Sequence, residues 1–211
     1  MKKIETWMDR ITNESNLWLN AIKMEDEGNH TQAFSFYLKD AEENIKQNSL
    51  VRAALSCSCA ADCLVKRGAL AAARQLYLQA AMIYEKNASQ VIGHSVREAI
   101  WSYQEAYEYF CMACDKERAQ KAYQVCVSLA RKTNPFAGES ETMESLRLRT
   151  LNIETFSNAY SSNMQVSAEI DDMIVNFLRE IEPKVATLDQ PVLKRIFNRL
   201  ERKQDEKSTN Y

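Results

Sequence analysis

Glycine and proline are scarce: the 211 residues contain four Gly and three Pro, against roughly 12 % for the two together in average proteins. Turns draw on Gly for positive φ and on Pro for fixed φ, and all-β folds need many turns. A sandwich or barrel is therefore excluded, and no alternating run of Val, Ile and Thr argues for one. Histidine is rarer still. His30 and His94 are the only two, which leaves most of the chain without the commonest general base. A glycine-rich phosphate loop, a nucleophile elbow and a His-Glu-x-x-His motif are all missing, so a non-enzymatic protein is expected. No run approaches the ~20 apolar residues of a membrane span. The start Met1-Lys2-Lys3 has no apolar stretch behind it, so a signal peptide is not expected. Excess charge is missing too: 27 basic against 29 acidic residues gives −2, and the whole-chain balance argues against nucleic acid.

What is abundant is helix former: Ala, Leu, Glu, Lys, Gln and Arg dominate. With 45 % hydrophobic and 27 % charged residues, the expected class is an all-α soluble domain with a sizeable core. Six cysteines without a secretory signal imply reduced thiols and a cytoplasmic location. The Asn-x-Ser/Thr sequences at Asn13, Asn29 and Asn87 then read as chance matches.

An internal repeat organises the chain. Gly28 is followed by Ala33, Tyr37, Leu38 and Ala41, and Gly68 by Ala73, Tyr77, Leu78 and Ala81, a gapless alignment at a period of 40. Cys114 opens a third copy 46 residues later, with Ala119, Tyr123 and Val127; the extra six residues are assigned to a loop over 87–94. Upstream, Leu17, Ala21 and Met24 correspond to Cys57, Ala61 and Leu64 and to Tyr103, Tyr107 and Phe110. Spacings of three, four and seven put each trio on one helical face. Each copy is thus a helix, a tight turn and a second helix, over units 14–47, 50–86 and 96–132. The individual helices are expected near 14–27, 31–47, 50–67, 70–86, 96–113 and 116–132, the first extending back toward Lys3. Capping boxes at Asn29–Gln32 and Ser95–Glu98, and Asp115 before the sixth helix, mark helix starts. Residues 1–134 form the repeat region. After Asn134-Pro135-Phe136-Ala137-Gly138, residues 135–211 are expected as a helical cap of the same domain. Its helices are expected near 140–163, near 167–182 (ended by Pro183), and over about 190–203.

The repeats resemble tetratricopeptide-type helical hairpins. Ala21, Gly28, Ala33, Tyr37 and Ala41 match the pattern, as do Ala61, Gly68, Ala73, Tyr77 and Ala81; the third copy matches at Ala119 and Tyr123. The spacing exceeds the usual ~34 residues, the closing Pro is missing, and Leu17, Cys57 and Tyr103 stand where the first-helix Trp is usual. At this spacing the longer helices are more similar to the SNAP family of membrane-fusion adaptors than to short-repeat peptide clamps. The resemblance implies a right-handed α-α superhelix and an adaptor that binds a partner protein on its concave face, lined by the first helix of each hairpin. Carried over by alignment, that face holds Trp18, Glu25, Asp62, Lys66, Trp101, Gln104 and Glu108, with Ile22, Asp26, Leu55, Ser58, Val65, Cys111 and Met112 beside them. Two indoles among a net acidic set favour a peptide or helical segment carrying Lys or Arg.

Two rival chemistries are present in the sequence. Cys59/Cys63 and Cys111/Cys114 are each one helical turn apart, a spacing able to chelate zinc. Buried cysteine also behaves as a small hydrophobe, and no metal or cofactor is expected. Val192, Leu193, Ile196, Phe197 and Leu200 form an apolar stripe opposed by Lys194, Arg195, Arg199, Arg202 and Lys203. Such a helix suits a solvated cap, or a peripheral membrane or trafficking factor contacting membrane through 190–206.

Overall fold

A computed structural model describes residues 16–159 and 168–185. The described residues form α1 (Leu17–Asp26), α2 (His30–Lys46), α3 (Leu50–Lys66), α4 (Leu70–Val91), α5 (Val96–Met112), α6 (Lys116–Thr133), α7 (Gly138–Ala159) and α8 (Ala168–Val185), with no strand among them. Residues 1–15, including the backward extension of the first helix, and the helix expected over 190–203 lie outside the described residues.

The turns follow from single residues. Gly28 and Gly68 take φ of 76° and 77°, and Cys114 and Asn48 reach the same left-handed region at 63° and 57°. At each turn the next residue's N–H donates back to a carbonyl inside the preceding helix. The four bonds run from Asn29 to Met24, Ser49 to Asn44, Ala69 to Leu64 and Asp115 to Phe110, at 2.8–2.9 Å. This is the closure that satisfies the last carbonyls of a helix. Side-chain caps start α2, α5 and α6, where Asn29 accepts from the Gln32 N–H, Ser95 from Glu98 and Asp115 from Arg118, at 3.2, 3.3 and 3.0 Å; Ser49 and Ala69, before α3 and α4, make no such bond.

Each helix from α1 to α7 packs against the next, and α7 also touches α5. Small residues permit the close approach: Ala21, Ala33, Ala61 and Ala73 are fully buried, and Ala119 nearly so. The Tyr37 and Tyr77 rings fill the seams and are buried, whereas Tyr123 is half-buried. Removing each such ring from water contributes about 1.5–3 kcal/mol. Helix α8 departs from the serial order and lies against α2 and α4. Its buried Ile170, Ile174, Phe177 and Ile181 recur every three or four residues, which is one helical face.

Two boundaries differ from the sequence expectation. Helix α4 continues to Val91 instead of ending near 86, so most of the expected loop over 87–94 is helix. The reason is burial: Asn87, Ala88 and Ser89 face the core, and the Asn87 amide donates to Ser102 Oγ at 2.9 Å. A glycan at Asn87 is incompatible with that placement. Pro183 does not end its helix but sits in the last turn of α8, which runs to Val185. There it forgoes its own N–H bond to the carbonyl four residues back, and the helix ends two residues later, at Val185.

Candidate functional site

Six of the residues expected on the first-helix face, Trp18, Glu25, Asp62, Lys66, Trp101 and Glu108, enter three contact chains that run through α1 to α5 and α7. In the first, the Trp18 ring meets Tyr37 edge-on at 5.2 Å between centroids. The Tyr37 hydroxyl donates to Glu25 Oε2 at 2.9 Å, and the other Glu25 oxygen takes the Lys66 ammonium. Helices α1 and α3 are thereby joined through a charged pair. In the second, Trp101 meets Tyr84 edge-on at 5.7 Å, Tyr84 stacks on Tyr109 at 5.8 Å, and Tyr109 stacks on Tyr77 at 6.0 Å. The Tyr77 hydroxyl ends this chain by donating to Asp62 Oδ1 at 2.5 Å. The third is a clamp: Arg149 of α7 donates to Glu105 at 2.6 Å and to Glu108 at 2.5 Å.

Burial and charge set the titration of these groups. At Glu25 burial pushes the carboxyl up, but the Lys66 ammonium and the Tyr37 hydroxyl together outweigh it and leave the pKa lowered. Burial pushes Asp62 up, against the Tyr77 hydroxyl bond and nearby Lys66. Glu108 is likewise raised by burial despite its Arg149 partner. Burial and the carboxylates they face raise the Tyr37 and Tyr77 phenols, so both act as hydrogen-bond donors and not as bases.

Glu25, Lys66 and Glu108, three of the ionic residues expected to meet a partner, are thus bonded within the chain. Asp62 takes its bond from a phenol, and Gln104 is half-buried. The apolar residues this face leaves open are Trp101, 38 % exposed, and Leu55, 41 % exposed, with Trp18 and Ile22 half-buried; Lys66, though paired, and Asp26 are exposed as well. Ser58 is buried. Glu105, Tyr84, Tyr109 and Arg149 are the members that alignment of the repeats did not supply. Tyr84 follows Tyr77 by seven residues, a same-face spacing visible in the sequence. Arg149 lies outside the repeats, 41 residues from Glu108, and no local signal marks it.

Five of the six cysteines belong to the core or pack against it, Cys111 half-buried among them, and Cys114 is exposed. Cys57, Cys63 and Cys126 are buried and Cys59 half-buried. Burial pushes the Cys59, Cys63 and Cys126 thiols up to about 12 and raises Cys57 as well, so they hold their protons at neutral pH. Among the described residues no cluster of three or more His, Cys, Asp or Glu is arranged to hold a metal ion. No helix among them is long and apolar enough to cross a membrane. No family model matches the chain, and no curated protein or solved structure is significantly similar to it.

Proposed function

We propose that the chain is a non-enzymatic adaptor of the cytoplasm, a tetratricopeptide-like superhelix that holds a segment of another protein on the concave face of α1, α3 and α5. The observation that supports this reading is that Trp101 and Leu55, large apolar side chains which the repeat alignment assigns to one face, are both exposed. Exposed indole anchors beside desolvated acids are the composition of an interaction hot spot. The rigid ladder from Trp101 to Tyr77 holds the indole in place, so little conformational freedom is lost on binding. The segment it fits has an apolar anchor for the Trp101–Leu55 surface and a Lys or Arg to meet Asp62, whose present bond comes from a neutral hydroxyl.

The test is co-purification with in-cell cross-linking, followed by affinity measurement on the recovered partner. Trp101→Ser with Leu55→Ser is expected to weaken binding by about thirtyfold or more, the loss of a hot spot of roughly 2 kcal/mol. Circular dichroism should remain that of the wild type. Undiminished affinity in the double variant refutes the reading, as does a wild-type chain that retains no protein.

A further inference from the structure

Among the described residues, helix α7 is covered on one side only. Its Thr142, Leu146 and Ile153 are buried, and it packs against α5 and α6. Leu148 on its other side is large, apolar and exposed, and Met143 is exposed at the edge that faces the hairpin. Between α7 and the α5–α6 hairpin runs an open groove of about 460 Å³, lined by Tyr107, Tyr123, Met143, Leu146 and the edges of Ser140 and Arg147. Tyr107 is fixed there by Thr150, hydroxyl to hydroxyl at 3.0 Å, and packs on Tyr123 at 6.0 Å between ring centroids. One turn of chain before Ser140 stands Phe136, in the α6–α7 turn and 99 % exposed. Among the described residues nothing packs on this ring, so the described fold does not account for it.

We propose that this edge is a self-association surface, on which Phe136 of one copy seats in the Tyr107–Tyr123–Met143 groove of a second copy. The edge carries both halves of the fit, a projecting ring and an apolar recess. A two-fold axis lets each copy fill the other, the arrangement of an isologous dimer. The charges agree. Arg131 is bound by Glu139 through two bonds of 2.7 and 2.6 Å, and Arg147 by Glu144 through two of 2.8 and 2.6 Å. A rim whose charges are matched within the chain does not repel its own copy. The available area sets the strength. One helix of 22 residues is about 33 Å long and about 10 Å wide, so the pair buries less than the ~1,200 Å² at which stable interfaces begin. The dimer is therefore weak and concentration-dependent. This surface is separate from the Trp101–Leu55 face and independent of its function.

The experiment is sedimentation equilibrium of the full chain under reducing conditions from roughly 2 to 300 µM, the range that brackets a small interface. A reversible monomer–dimer equilibrium is expected, and Phe136→Ser should weaken it at least tenfold. At concentrations where the chain is monomeric, helix content and melting temperature should not change, because Phe136 packs on none of the described residues of its own chain. A photo-reactive benzoylphenylalanine at position 136, in mixed ¹⁴N and ¹⁵N protein, should give heavy–light cross-links to peptides holding Tyr123 or Met143. A chain that stays monomeric throughout, or a Phe136→Ser dimer of unchanged strength, overturns the proposal. So do cross-links confined to one chain, including those to residues 186–211, which would make the terminal segment the occupant.

Discussion

Replacing Cys114 with glycine should stabilise the chain. Cys114 holds φ at 63° in the α5–α6 turn, where the α1–α2 and α3–α4 turns have Gly28 at 76° and Gly68 at 77°. An L side chain in this region sets Cβ against a neighbouring carbonyl and costs roughly 1–2 kcal/mol. Glycine gives back about 0.5–1 kcal/mol through the greater freedom of the unfolded chain, and the exposed thiol has little packing to lose. The net gain is about 0.5–1 kcal/mol. Cys114→Ala is the control, since it removes the sulfur and keeps the Cβ, and it should be close to neutral. In urea unfolding followed by circular dichroism under reducing conditions, the glycine variant should shift the midpoint up by about 0.3–0.5 M for an m-value near 2 kcal/mol/M. The mirror change, Gly28→Ala, should lose a similar amount. A Cβ there meets no atom within 4 Å, so the backbone alone accounts for the cost. A Cys114→Gly variant no more stable than Cys114→Ala, at unchanged m, refutes the reasoning.

Three further outcomes are expected. Arg149→Ala leaves Glu105 and Glu108 facing each other in a half-buried setting and should cost about 2–3 kcal/mol, with hydrogen exchange in α7 accelerated ahead of α2–α4; unchanged α7 protection contradicts this. Gly138→Ala places a Cβ 2.4 Å from the Ala130 carbonyl oxygen, so α7 must move off α6 at a cost of about 2–3 kcal/mol; a melting temperature within about one degree of wild type would show that the approach is not tight. Burial raises the Glu85 carboxyl, against Arg118 and Lys121. A raised folded-state pKa means that the charged form destabilises at neutral pH and that this cost fades as pH falls through the raised value. Glu85→Gln should therefore stabilise the chain at neutral pH, with the advantage vanishing toward the ordinary 4.5; an advantage independent of pH rules the explanation out.

The Gly–Ala–Tyr register was readable in the sequence because each residue type has a local cause. A left-handed turn wants Gly, a close helix crossing wants Ala, and a seam wants a ring. The observed helices through α6 accordingly start and stop within about three residues of the expected ones, α4 excepted. The third copy was legible although Cys114 replaces the glycine, since Ala119 and Tyr123 keep their spacing. The turn at Asn48, twenty residues from both Gly28 and Gly68, has the same geometry but falls between the units that the repeat defines. The extension of α4 was not legible, because burial of Asn87 depends on Ser102 of the next helix. The acidic face is the clearest failure of one-dimensional reading. Glu25 and Lys66 were both named for it, yet their pairing spans 41 residues, as does that of Glu108 with Arg149. Composition counts such groups as open charges, and only packing shows that they neutralise one another.

A serial stack of hairpins has contacts only between neighbours, so its ends can melt while its middle persists. The return of α8 onto α2 and α4 alters that. Opening the first hairpin also strips α8 of its dock for Ile174 and Phe177, and losing α8 exposes apolar surface on α2. The first hairpin and the last described helix share one cooperative unit. Such long-range contacts raise contact order, which slows folding, and in return they keep the first-helix face from fraying open one hairpin at a time.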